Sequence, residues 1–389
     1  MLLLSSKKEA FGLDISDISI KVMYLKKRGK KMFPFAWDDI KIPQDAIEKD
    51  VIINQDKIVQ TIMSIFAVSQ GRRIKTRKVI ASIPESKSFI RIIKMPDMEE
   101  EELKKAVFWE VEQHIPLDIK DVYLDSKALD KDFLQSAEKK IQKEKKSSPD
   151  KKEDKETGEV KPEEFTEQKE GEERNVLIIA SPKKTVDILT ETLIKSGLTP
   201  IITELESAAT SRALIPEKDL DSYLILDLDS LRTSFIAVSK GMPLFTANIP
   251  IAGNNLTQAI CEKLGIEFEE AEKFKREIGL EKKDREDIFN ALSSPLEQLS
   301  QEIEKLLNFY QSSDKSQKPI EKVLLCGGTA KLKGIDSFLS WRLKKDVFLG
   351  NPWINVYKDQ TSQVPPISKE DSLSFATVIG LALRGVELD

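Results

Sequence analysis

Two stretches of this chain end an apolar strand in aspartate, follow it with a short polar turn and open a second strand at once. The first is Gly12-Leu13-Asp14-Ile15-Ser16-Asp17-Ile18-Ser19-Ile20-Lys21-Val22, and the second is Leu224-Ile225-Leu226-Asp227-Leu228-Asp229-Ser230-Leu231-Arg232-Thr233-Ser234-Phe235. Each reads as a β-hairpin. A turn of this kind aims backbone N–H groups at one spot, and with a neighbouring carboxylate it can hold phosphate and its Mg²⁺. The repetition implies two related halves, whose hairpins would face each other across a nucleotide cleft. A third element, Lys322-Val323-Leu324-Leu325-Cys326-Gly327-Gly328-Thr329, is a buried-type strand running into paired glycines and then a helix. Paired glycines let a backbone approach a flat ligand closely. Asp14 and Asp227 also fit a simpler role as caps of tight turns, and Glu272 with Lys275 also fits a solvated ion pair.

These elements need a scaffold, and the composition supplies one. With 389 residues, 40% hydrophobic and 33% charged, the chain can bury a large core and form two or more domains. A net charge of −5 argues against a nucleic-acid partner. The two cysteines, Cys261 and Cys326, offer neither a CxxC metal site nor a disulfide framework, which fits a reducing cytoplasm. No run approaches the ~20 apolar residues of a membrane span, and the stub Met1 to Lys8 reads as a lead into the first strand. The single histidine, His114, reads as a helix C-cap or surface residue.

Along the chain, residues 31–40 extend the first hairpin, residues 54–70 carry apolar residues at helical spacing, and residues 78–83 form a strand. Residues 85–200 read as an inserted α/β subdomain. There 90–94 is a strand, Asp97 caps a helix over 99–114, and Leu103, Val107 and Val111 form its apolar stripe. Trp109 on that helix is expected in core or interface packing. Strands over 122–129 and 176–180 follow, with a helix opened by Ser181-Pro182 and closed by Gly197. Between them, residues 135–174 are almost devoid of apolar side chains and are expected to be a disordered loop, transiently helical over 137–146. The chain returns through a helix over 204–214. Further helices are expected over 255–264, 268–278, 295–310, 334–343 and 372–384, with a strand over 323–326. Cys326 is expected to be an inert core thiol. The implied domains are residues 1–84 as a first lobe, 85–200 as the insertion, 201–220 as the return and 221–389 as a second lobe.

The paired Asp hairpins and the Gly-Gly-Thr turn resemble the actin, Hsp70 and FtsA superfamily. More finely, Ile80-Ala81-Ser82-Ile83-Pro84-Glu85, Met95-Pro96 leading to Trp109-Glu110-Val111-Glu112-Gln113-His114-Ile115-Pro116-Leu117, and Glu269-Glu270-Ala271-Glu272-Lys273-Phe274-Lys275 resemble the PilM family of type IV pilus assembly. The resemblance covers most of the chain outside the charged loop. It implies a bilobed α/β fold of the duplicated actin/Hsp70 (ribonuclease H-like) kind with an FtsA-type inserted subdomain. It further implies ATP and Mg²⁺ as ligands. Asp14 and Asp227 would hold hydrated Mg²⁺, Lys21 would reach the terminal phosphates, and Ser16, Ser19 and Thr233 would line the phosphate loops. Glu206 would orient an attacking water, Glu272 and Lys275 would meet ribose or base, and Gly327, Gly328 and Thr329 would line the adenosine side.

The implied partner is the N-terminal cytoplasmic segment of a PilN-like inner-membrane protein, held in a groove using residues 80–84 and 115–117. The implied location is cytoplasmic, peripheral to the inner membrane through partners. An FtsA-like filament-forming ATPase and a component of a type II secretion-related platform remain alternatives. The short acidic C-terminus departs from the basic amphipathic membrane helix of FtsA-like proteins. Both phosphate loops depart as well: Ser16 and Asp229 stand where relatives carry glycine, and Asp17 follows Ser16. Extra carboxylates repel a polyphosphate by about 1 kcal/mol per solvated charge pair. Hydrolysis is therefore expected to be weak or absent.

Overall fold

The computed structural model describes residues 9–29, 31–112, 118–129, 173–281, 285–313, 319–358 and 364–388. β1 (Phe11–Ile15), β2 (Ser19–Arg28) and β3 (Lys31–Lys41) form an antiparallel meander in which Asp14 lies directly across from Lys21. A two-residue ladder of β4 (Ile47–Glu48) and β5 (Val51–Ile52) turns at Lys49 and Asp50, both with positive φ. Helix α1 (Gln55–Val68) follows, its first turn closed by Asn54, which accepts the N–H of Lys57. Ile58, Ile62 and Ile65, spaced on one face, are buried against the sheet. Short β6 (Gln70–Gly71) borders β3, and β7 (Lys78–Ile83) pairs parallel with β1.

The chain then leaves this sheet for a second one. β8 (Phe89–Pro96), α2 (Glu100–Val111), β9 (Val122–Ala128) and β10 (Glu173–Pro182) build a three-stranded antiparallel sheet in the order β8-β10-β9. Val176, Ile178 and Ala180 of β10 pack with Leu103, Val107 and Val111 of α2, while Leu177 joins the core of the first sheet. Both faces are covered, which explains the unbroken apolar run in β10. After α3 (Lys183–Lys195), closed by Gly197 at φ +73, β11 (Thr199–Leu205) pairs parallel with β7.

From α4 (Glu206–Leu214) the chain enters the second half, in which β12 (Ser222–Leu228), β13 (Thr233–Ser239) and β14 (Met242–Ile249) form another meander. Helices α5 (Gly253–Leu264), α6 (Phe268–Glu277) and α7 (Glu286–Ser313) pack on it, then β15 (Lys322–Cys326), α8 (Ile335–Leu343) and β16 (Asp346–Leu349) follow. The first sheet runs β3-β2-β1-β7-β11 with β6 outermost, and the second runs β14-β13-β12-β15-β16. In each, three antiparallel strands adjoin two parallel ones, so the duplication visible in the hairpins extends to whole sheets.

The last helix, α9 (Ala376–Glu387), packs on β1, β2, β7 and α4 of the first half, although sequence order places it with residues 221–389. Its approach is close enough to require glycine. A Cβ on Gly380 would lie 1.8 Å from the carbonyl oxygen of Ala209 in α4, and one on Gly12 of β1 would lie 2.7 Å from that of Val378. The hydroxyls of Thr210 and Thr377 meet at 2.9 Å across the same seam.

Several local expectations are corrected. Residues 199–205 form a strand, so Glu204 lies in β11 and the helix begins at Glu206; the alternating Thr199-Pro-Ile-Ile-Thr run completes a parallel pair that only the partner strand reveals. The N-cap position of α2 is Glu99, without a side-chain hydrogen bond, and not the expected Asp97, which pairs with Arg174 at 3.8 Å. Pro295 lies inside α7, not at its start, because Ile288, Leu292, Leu296, Leu299 and Ile303 bury one continuous face that offsets the lost hydrogen bond. Of the two packing roles expected for Trp109, its 71% exposure excludes the core and leaves the interface. Glu173 and Arg174 belong to β10; the rest of the charged segment, the helix over 137–146, the stub 1–8 and residues 113–117 with His114 lie outside the described residues. Cys326 is fully buried.

Gly380→Ala is expected to lower stability by about 1–3 kcal/mol through overpacking, whereas Gly328→Ala, where an added Cβ meets nothing within 4 Å, should be near neutral. Urea midpoints of the two variants test this, and equal midpoints would contradict the close helix seam.

Candidate functional site

The first hairpin closes on itself. Ser16 donates both its N–H and its hydroxyl to the carbonyl of Ser19, each at 3.0 Å, and its Oγ accepts the N–H of Ser19 at 3.2 Å. The N–H and hydroxyl of Ser16 and the N–H of Ser19 are thus used within the turn. Asp14 accepts a 2.6 Å hydrogen bond from the Ser82 hydroxyl at the adjacent strand β7 and faces Lys21, both side chains being buried. Asp17 is half-buried and accepts the N–H of Asp50 at 2.7 Å.

The second hairpin is tied in the same manner. The N–H of Asp229 donates to the carbonyl of Arg232, and the carbonyl of Asp229 accepts the N–H of Gly253 at 2.9 Å and the hydroxyl of Thr329 at 3.0 Å. Thr233 donates its hydroxyl to the carbonyl of Ile251, so it does not face the cleft as a free donor. Gly327, at φ +85, is required by proximity: a Cβ there would lie 2.5 Å from Oδ1 of Asp227. Its N–H donates to the carbonyl of Leu373. Gly328 alone of the Gly-Gly-Thr turn leaves open space.

Between the hairpins stands a group of residues drawn from four segments. Arg232, at the tip of the β12–β13 turn, donates Nη1 to both carboxylate oxygens of Asp50 at 2.5 Å and Nη2 to Glu206 at 3.2 and 3.0 Å. Glu206 also accepts the N–H of Glu85 at 3.0 Å, and Glu85 accepts the N–H of Ser207 at 3.1 Å. Ser86 donates its hydroxyl to Asp50. Both oxygens of Glu206 are therefore engaged, so water orientation is not the role its geometry favours.

Glu272 and Lys275 meet each other rather than the cleft. The Lys275 ammonium reaches the carbonyl of Gly253 at 3.0 Å, Thr257 Oγ1 at 2.8 Å and Glu272 at 2.6 Å, which uses its three donors. Glu272 also accepts from Thr257 and Arg276. This pair joins α5 to α6 as a buried clamp.

Charge burial sets the protonation of the cleft. Burial pushes the Asp227 carboxyl up to about 8, helped by the Asp229 charge and opposed by Arg232. The reason is visible in the register: Asp14 has Lys21 opposite, whereas Asp227 has Ser234. Burial also raises Asp14 and Glu206, against the pull of Lys21 and Arg232 respectively. Burial alone would lower Lys21 and Arg232, but the surrounding carboxylates outweigh it and hold both above their ordinary ranges. Asp14 and Asp227 are the metal-side candidates, yet among the described residues no three His, Cys, Asp or Glu side chains are grouped to hold a metal ion. The N–H groups of Ser16 and Asp229 and the hydroxyl of Ser16 bond within their own turns and a guanidinium spans the cleft, so this arrangement is a poor match to ATP with Mg²⁺.

Two sheets of one topology, an Asp hairpin in each and two close-packed helices joining them define a bilobed actin-like protein. Solved structures agree in fold. The ethanolamine utilization protein EutJ from Carboxydothermus hydrogenoformans superposes with a TM-score of 0.52 at 14% identity, over 96% of this chain and 89% of that one. MreB5 of Spiroplasma citri bound to AMPPNP gives 0.50 at 12% identity, over 94% and 93%. A PilM–PilN type IV pilus biogenesis complex gives 0.72 at 24% identity, over 97% and 98%. The family model of type IV pilus assembly protein PilM matches residues 12–142 and 164–386, and the chain belongs to that family.

Sequence reasoning missed Asp50, Glu85 and Arg232. For Arg232 a signal existed, since a cation sits at the tip of the second hairpin and not at the first. Asp50 and Glu85 carry none, because their meaning depends on a partner far along the chain.

Asp227 yields a pH prediction. Between about 4 and about 8 the folded chain keeps a proton that the unfolded chain has released, so this group favours the fold at low pH and that contribution is lost as pH rises through 8. In metal-free buffer, the urea midpoint of the wild type is expected to fall relative to Asp227→Asn between pH 5 and pH 8. Parallel pH profiles for the two proteins would contradict the assignment.

Proposed function

We propose that this chain is an actin-like scaffold of the type IV pilus inner-membrane platform, binding the N-terminal cytoplasmic segment of a PilN-like membrane protein. The observation that carries the reading is the family match over residues 12–142 and 164–386, with a shared fold across 97% of the chain to a PilM–PilN complex. Among the described residues no helix is long and apolar enough to cross a membrane. Attachment through a membrane partner on the cytoplasmic side suits that property.

Of the expected groove residues 80–84, Ile80, Ala81 and Ile83 are buried in β7 between β1 and β11, which leaves half-buried Pro84 at the end of the strand to face a peptide. Residues 115–117 lie outside the described residues. Phe108 and Trp109, exposed and edge-to-face on α2, are the aromatic anchors we assign to the peptide within the inserted subdomain. As for ATP and Mg²⁺, we propose weak or absent binding and no hydrolysis; Asp14, Lys21 and Asp227 act in our reading as the buried frame of the cleft.

Fluorescence anisotropy with a labelled N-terminal peptide of the organism's own PilN-like protein tests the reading. Saturable binding is expected, weakened about tenfold or more by Trp109→Ala, a loss of ~1.4 kcal/mol typical of an aromatic anchor. No binding by the folded wild type would retire it.

A further inference from the structure

We propose that Arg232 is a built-in clamp of the inter-lobe cleft: its guanidinium holds the two lobes together through Asp50 and Glu206, so closure needs no nucleotide, and an entering polyphosphate must first displace it. The residue belongs to the second half, at the tip of β12–β13, while Asp50 sits in the β4–β5 turn of the first half and Glu206 opens α4. One guanidinium thus forks onto two carboxylates from different segments, a geometry that suits arginine and that lysine cannot reproduce.

The receiving side is built rather than incidental. Asp50 is held at φ +62, a strained conformation for a residue with a side chain, by its N–H bond to Asp17 and by the Ser86 hydroxyl. Glu206 is fixed by the N–H of Glu85, and Glu85 by the N–H of Ser207. The side chain of Arg232 is 15% exposed, that of Glu206 14% and that of Asp50 4%. Removing one partner from such a buried set leaves an uncompensated charge on the other side of the seam.

The clamp also accounts for the two extra carboxylates in the phosphate loops. Asp17, which would repel a phosphate, instead receives the Asp50 N–H and so sets the clamp's receiver. Asp229 raises the charge that Arg232 answers, and its carbonyl fixes the turn on Gly253 and Thr329. Arg232 Nε is buried with no hydrogen-bond partner, the single donor of the guanidinium face left for a small acceptor. A polyphosphate offers many acceptors, but it brings negative charge next to Asp229, which already lies beside Arg232.

Hydrogen–deuterium exchange of the full chain, read at peptides covering the amides of Asp50, Glu85 and Ser207, tests the clamp because each amide bonds within it. Wild-type protection there is expected to be the same with and without millimolar Mg-ATP. Arg232→Ala should raise exchange at these sites about tenfold or more while protection in β15 is kept, and Arg232→Lys should fall between. If Arg232→Ala does not fold, Glu206→Gln supplies the same readout with one charge removed and its shape retained. Wild-type-like exchange in the folded variants, or Mg-ATP-induced protection in the wild type, would overturn the proposal.

Discussion

A guanidinium buried between two carboxylates is the interaction on which the arrangement of this molecule turns. Arg232 comes from one lobe and Asp50 from the other, and neither charge has enough water around it to stand alone. The cost of separating them falls on any motion that opens the cleft. The geometry of the receivers follows from that requirement. The positive φ of Asp50, the Asp17 carboxylate that accepts its N–H and the hydrogen bond from Glu85 to Glu206 each hold a carboxylate where the guanidinium arrives.

The second constraint is the close crossing of the two connecting helices. α4 carries the chain out of the first lobe and α9 brings it back, and Gly380 lets their backbones meet where even a methyl group would clash. Arg212 of α4 bonds both Glu204 and the carbonyl of Gly380, adding a polar tie to the same seam. With one seam locked by backbone contact and the other by buried charge, the lobes are fixed at two separated places. A scaffold that presents a partner-binding surface benefits from that rigidity, since less ordering entropy is lost on binding.

The cleft shows how a frame can persist while its chemistry is redirected. The two Asp hairpins occupy corresponding places in the two halves, yet Ser16 and Asp229 donate their N–H groups within their own turns and Gly327 donates its N–H to Leu373. Lys275, a candidate for a ligand contact, saturates its ammonium on Gly253, Thr257 and Glu272. Such internal satisfaction is what burial demands of polar groups without a ligand.

Much of the frame was legible in the chain. Apolar strands with Asp14 and Asp227 near their ends, the helical spacing of Ile58, Ile62 and Ile65, and the Gly-Gly-Thr turn are local patterns, because backbone periodicity and turn chemistry act between residues a few positions apart. Strand β11 was not, since Thr199–Leu205 is recognisable as a strand only by its pairing with β7. Nor was the long α7, whose Pro295 is overruled by a buried face. The candidate site divided along the same line. The sequence by itself determined which residues stand at the hairpin tips and that their charges conflict with a phosphate. Only the tertiary structure decided that Arg232, Asp50 and Glu206 meet, because electrostatic and hydrogen-bond partners are chosen by proximity in space, and residues 50, 206 and 232 become neighbours only after both lobes have folded and closed.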